Sequence, residues 1–221
     1  MLESLKGTIL FISALFPVVN PLGGSPIFLA LTRDYSSSDR TELSRRVAAN
    51  SFFLLAVSFL VGAQVLAFFG ISLPVVQVGG GLVVVSTGWA MLNRPEENDR
   101  QSAGHHKVDR DDIFKNAFYP LTMPLTVGPG SISIAITLGA NAPRHVGWDL
   151  LPLIPALIGS LLLALSVFIC YASAGRLAKL FGPTGMSVIL RLTSFLLVCI
   201  GVQILWNGVK ALLATLPAGV H

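Results

Sequence analysis

Apolar residues run in long unbroken blocks along this chain, at approximately 5–32, 47–69, 74–92, 113–140, 150–173 and 187–214, with short polar stretches between them. Each block is near or above the ~20 residues that a helix needs to cross a ~30 Å hydrocarbon core. The pattern predicts an all-α, polytopic membrane protein of six transmembrane helices that leaves almost no soluble domain. Before the second block, Ser36-Ser37-Ser38-Asp39 followed by Glu42 has the spacing of a capped helix start, so that helix is expected to begin in the cytoplasm and run inward.

Two blocks are interrupted in the same way. Pro17, Pro21, Leu22 and Pro26 recur as Pro120, Pro124, Leu125 and Pro129 at the single offset of 103. The shared skeleton Pro-x-x-x-Pro-Leu-x-x-x-Pro indicates an internal repeat of three spans each. The halves are residues 1–92 and 116–221, joined by a polar linker over 93–115. Leu82–Gly88 also resembles Phe195–Gly201, at a register ten residues longer. Three crossings reverse the side from which the second half starts, so the copies are expected to be inverted about an axis in the membrane plane. Proline lacks the amide proton that a helix interior uses, and three within ten residues predict discontinuous first and fourth helices. Gly79-Gly80-Gly81 in the third span is read as a close-packing surface for another helix.

Charge sets an expected orientation. Arg33, Arg40, Arg45, Arg46, Arg94, Arg100, Lys107, Arg110, Lys115, Arg176, Lys179 and Arg191 fall at one set of alternating ends, and only Lys6, Arg144 and Lys210 at the other. The positive-inside rule then places both termini outside the cytoplasm. The same distribution accounts for the net charge of +4 without nucleic acid as a partner; the expected surroundings are the lipid bilayer, and a homo-oligomer is compatible with it. Glu3, Asn20 and the prolines argue against reading the first block as a cleaved signal. Cys170 and Cys199 lie inside spans and are read as packing residues, and Arg191 as a side chain that snorkels to the surface.

The chemistry concentrates in the two interruptions. Unpaired backbone groups at membrane depth are tolerable only where protein encloses them or where they border a polar cavity. Two breaks brought together by the repeat predict such a cavity near the midplane. Half-helices starting after the breaks would offer free N–H groups and a positive dipole end to an anion, and those ending before them would offer carbonyls to a cation. A zwitterion satisfies both. The expected substrate site comprises Asn20, Gly23, Gly24 and Ser25 from the first break, with Thr122, Thr126, Gly128, Gly130 and Ser131 from the second. Kinks that serve packing alone are the competing reading. The span interiors hold no Asp or Glu, and His105, His106, His145 and His221 lie in loops or at the terminus. Protease, hydrolase and carboxylate proton-relay chemistries therefore lack their groups, and neither a catalytic site, a metal nor a cofactor is expected.

These residues carry a resemblance. Asn20-Pro21-Leu22-Gly23, Gly79-Gly80-Gly81-Leu82, Pro124-Leu125-Thr126-Val127-Gly128-Pro129-Gly130-Ser131-Ile132, and Arg191-Leu192 with Phe195–Gln203 are similar to the motifs of the MarC family of bacterial inner-membrane proteins. The Pro-Leu-Thr-x-Gly-Pro-Gly run is the most specific of them. The resemblance implies a six-span inner-membrane protein grouped with small neutral amino acid transporters, some archaeal relatives being regarded as importers of glycine and alanine. The expectation is a secondary transporter of small neutral solutes that alternates access to a midplane site. An exporter of drugs or metabolites, or a non-transporting scaffold, remain as alternatives.

Overall fold

The computed structural model describes residues 2–32, 35–93, 117–142 and 153–215. Almost all of the 93–115 linker and all four histidines lie outside the described residues. Among the described residues eight helices follow in order: α1 (Leu2–Val19), α2 (Pro21–Leu31), α3 (Ser37–Phe68), α4 (Leu73–Leu92), α5 (Ala117–Thr126), α6 (Pro129–Ala140), α7 (Leu153–Ala172) and α8 (Ala174–Leu213). No strand occurs among the described residues. Five stretches are long and apolar enough to span a membrane: Ser4–Leu31, Ser37–Phe68, Leu73–Leu92, Leu153–Ala172 and Thr184–Leu213. The pair α5 and α6 makes a sixth if counted as one span, bent by 69°.

Local chemistry explains the boundaries. Ser36 caps α3, its hydroxyl oxygen accepting from Asp39 N at 3.1 Å. Glu42 does not reach back to that cap; it pairs with Arg45 and Arg46 one turn further on. Asn20 separates α1 from α2 in the left-handed region, at φ 47° and ψ 58°, which Asn tolerates better than most residues. In α5, Tyr119 and Met123 leave the helical region immediately before Pro120 and Pro124, the residues that a following proline pushes toward extended backbone.

Packing is inside-out relative to a water-soluble protein. Phe68, Phe53, Leu192 and many other large apolar side chains are exposed, whereas Ser25, Thr32, Ser44, Ser51, Thr126 and Ser131 are buried. Small hydroxyl residues allow helices to approach, and their protons turn back onto carbonyls one turn earlier, as in Ser51 to Val47 O and Ser25 to Pro21 O. The centre of the bundle holds Phe11, Leu15, Phe28, Leu55, Phe59, Leu163 and Tyr171. At one side α4 and α8 run antiparallel along a glycine seam. A Cβ on Gly81 would stand 2.8 Å from Gly201 O, on Gly88 2.9 Å from Ser194 O, and on Gly208 2.7 Å from Pro74 O. Because those neighbours are backbone, no side-chain shift could make room. Of the glycine triplet, Gly81 joins this seam and Gly80 meets Ser133 of α6, whereas Gly79 touches nothing and is not a packing residue. Cys199 likewise is exposed, not packed.

Candidate functional site

A cavity of about 330 Å³ is lined by residues from the junction of α1 with α2 and from the junction of α5 with α6. Val18, Val19 and Asn20 contribute from the first, and Thr126, Gly128, Pro129, Gly130 and Ser131 from the second. Its remaining wall runs along Gly24, Ile27 and Leu31 of α2, Pro120, Pro124 and Leu125 of α5, Val83, Val84, Thr87 and Met91 of α4, and Leu197 of α8. The cavity thus extends from the breaks toward the ends at which α2 and α4 finish. Most of the wall is aliphatic, and no aromatic residue among the described residues lines it.

Six of the nine residues expected at the site line this cavity: Asn20, Gly24, Thr126, Gly128, Gly130 and Ser131. Gly23, Ser25 and Thr122 do not. Gly23 is buried beneath the Asn20 amide and the Thr193 hydroxyl. Ser25 is fully buried, donating to Pro21 O at 2.8 Å and lying 3.3 Å from Cys170 O. Thr122 donates to Ala117 O at 2.6 Å and faces Asn50 Nδ2 at 3.4 Å. In each case local satisfaction or a neighbouring helix turns the polar group away from the cavity.

The two half-helix starts differ in what they have left to give. At α2, Asn20 uses its own acceptors: Oδ1 receives Gly23 N at 3.1 Å and the carbonyl receives Gly24 N at 2.9 Å. The positive end of α2 is therefore largely closed by its own cap. At α6, Gly128 occupies the cap position in extended conformation and supplies no side chain. Its carbonyl takes Ile132 N at 3.1 Å and the Ser131 hydroxyl at 2.9 Å. The N–H groups of Gly130 and Ser131 stand in the first turn, where a helix has no acceptor of its own for them. Asn20 Nδ2 is buried and has no hydrogen-bond partner among the described residues. A buried donor left in this way costs about 1–3 kcal/mol, so it is poised for an acceptor. With Oδ1 already spent on Gly23, the group that the Asn20 amide has left to offer is a donor.

The hydroxyls of the cavity wall are occupied elsewhere. Thr126 donates to Leu121 O at 2.7 Å and lies 2.9 Å from Tyr171 Oη, while Thr87 donates to Val83 O at 2.8 Å. Tyr171, absent from the sequence expectation, is fully buried and stacks on Phe28 with ring centroids 4.5 Å apart. Its hydroxyl presses against Gly24, where a Cβ would stand 2.5 Å from the oxygen. Tyr171 therefore ties the start of α2 to the end of α5. The contribution of α4 was legible in part: Val83, Thr87 and Met91 recur every four residues and share a helix face. Among the described residues no cluster of His, Cys, Asp or Glu could hold a metal ion.

A family model described as MarC family integral membrane protein matches residues 5–213. The inner membrane protein MarC of Citrobacter koseri is 34% identical over 224 residues, covering 97% of this chain and 99% of that protein. Those of Salmonella typhimurium and Escherichia coli O1:K1 are 32% and 31% identical at the same coverage. No solved structure matches the chain.

Proposed function

We propose that this chain, which belongs to the MarC family of integral membrane proteins, is a secondary transporter of small neutral solutes, in the first place small amino acids such as alanine or glycine. The names of its relatives place it in a bacterial inner membrane. One observation carries the reading: Asn20, whose buried Nδ2 is without a partner among the described residues, and the uncapped start of α6 line one cavity. Together they offer a carboxylate three donors without a formal positive charge. The carbonyls at the end of α1, beside Val18 and Val19, would take the ammonium. The site is neutral overall and small, which suits a short zwitterion.

The packing supports an inverted repeat. Exchanging α1 and α2 with α5 and α6, α3 with α7, and α4 with α8 turns the α2–α8 contact into α6–α4 and the α1–α7 contact into α5–α3, while α3–α7 and α4–α8 map onto themselves. With the basic ends placed in the cytoplasm, the ends of α2 and α4 are cytoplasmic and the cavity opens inward. Transport then requires the other half of the repeat to adopt this arrangement, opening the site outward along α6 and α8.

The aliphatic wall favours a second reading, export of a larger apolar metabolite. A thermal-shift series separates them, because a ligand that binds the folded state raises apparent stability by mass action. Alanine should stabilise the purified protein and alaninamide, which lacks the carboxylate, should not. Stabilisation by apolar amphiphiles with none by alanine would replace the first reading with the second.

A further inference from the structure

Along α8, Leu192, Leu196, Cys199, Gln203, Trp206 and Lys210 are all exposed. They follow one another at steps of four, three, four, three and four residues, the spacing that keeps one face of a helix against a neighbour in a left-handed pair. The opposite face is taken, since Ser194, Val198, Gly201, Leu205 and Gly208 meet α4. Leucine on the outward stripe suits lipid, but Gln203 does not.

Its depth follows from the seam. Gly81 lies beside Gly201 and Pro74 beside Gly208, so the middle of α4, at Leu82 and Val83, is level with Cys199 and Ile200. At ~1.5 Å per residue, Gln203 stands only about 5 Å from that level, well inside the hydrocarbon. Gln203 Nε2 donates to Asn207 Oδ1 at 3.0 Å. Gln203 Oε1 and Asn207 Nδ2 make no hydrogen bond among the described residues. Lipid supplies neither donor nor acceptor.

An amide carries both a donor and an acceptor, so it is complementary to its own image across a two-fold axis. Copies inserted with the same orientation can bring only parallel α8 helices together, about an axis along the membrane normal. We propose that the outward stripe of α8 is a self-association face whose occupant is a second copy of this chain, with Gln203 and Asn207 hydrogen-bonding to their counterparts at its centre. Lys210 ends the stripe near the headgroups, where water separates the two like charges.

The test uses the full chain in lipid vesicles. With Cys170→Ala, Cys199 is the one thiol left on the chain, one turn before Gln203. Oxidation by copper phenanthroline should join two copies through Cys199. Phe53→Cys, on the exposed face of α3, should give no crosslink in a chain lacking both native cysteines. Energy transfer between labelled copies should show Gln203→Leu weakening association about tenfold, with Gln203→Asn keeping most of it. Leucine is already the stripe's commonest residue, so this variant should fold, as an unchanged melting temperature of the dilute protein would verify. No Cys199 crosslink, which would leave lipid covering the stripe, or undiminished association of Gln203→Leu, overturns the proposal.

Discussion

Adding one methyl group at Gly24 should destabilise the protein, and removing the Tyr171 hydroxyl should restore part of the loss. A Cβ at Gly24 would stand 2.5 Å from Tyr171 Oη but 3.3 Å from the nearest ring carbons. Tyr171 cannot swing aside, because it is fully buried, stacked on Phe28 and held 2.9 Å from Thr126 Oγ1. Overpacking of this kind costs about 1–3 kcal/mol. Helix propensity alone would make Gly24→Ala stabilising by roughly 0.5–1 kcal/mol, so the expected sign is opposite to the local one. Tyr171→Phe alone should cost about 0.5–1.5 kcal/mol, since Thr126 keeps its own donor bond to Leu121 O and no donor is orphaned. In the double variant the methyl occupies the space that the oxygen leaves. The loss in the double variant should therefore fall short of the sum of the two single losses by about 1 kcal/mol or more, within the range of contacting pairs. Apparent melting of the four proteins in one detergent gives the cycle, and alanine binding shows whether the cavity follows. Losses that simply add would refute the placement of Tyr171 against Gly24.

Other expectations follow from the same geometry. Asn20→Asp keeps an acceptor for Gly23 N but replaces the free donor by a negative charge, so it should fold and bind alanine at least tenfold to a hundredfold more weakly, given ~1.5–3 kcal/mol for a hydrogen bond to a charged group; isothermal titration measures it. Gly81→Leu should separate α4 from α8, because its side chain would meet Gly201 O and Leu205 N, and should lower the melting temperature far more than Gly79→Leu, whose position is open. Single cysteines at Ser102 and Ala218, in a background lacking Cys170 and Cys199, should be labelled by an impermeant thiol reagent from opposite faces of the membrane, Ala218 from outside.

The sequence carried the spans because length and apolarity alone decide whether a helix can cross lipid, and Leu73–Leu92 and Leu153–Ala172 lie close to the apolar blocks. The candidate cavity was legible where backbone chemistry is local: prolines 17, 21, 120 and 124 mark positions that cannot complete a helical ladder. What could not be read was which polar group had already been satisfied. Ser25 and Thr122 look available in one dimension, yet each finds a carbonyl within its own turn or two. Asn20 stands out in the sequence as a polar residue among prolines, but only the structure shows that Oδ1 caps Gly23 and that Nδ2 remains. Tyr171 lies far from both breaks along the chain, and nothing in its local sequence announces that the fold inserts its hydroxyl between them. Gly79 and Gly81 are indistinguishable in sequence; their different fates depend on which side of α4 meets α8.

Uptake of labelled alanine into proteoliposomes, comparing the parent with Asn20→Asp and Gly128→Val, decides whether the cavity is a transport site. Asn20→Asp sets a charge against the carboxylate, and Gly128→Val crowds the cavity where Gly128 already approaches Pro124 O. Saturable uptake by the parent is expected, lost in both variants although each reconstitutes with parental melting behaviour. Parental rates in both well-folded variants, or no alanine uptake by the parent, would contradict it.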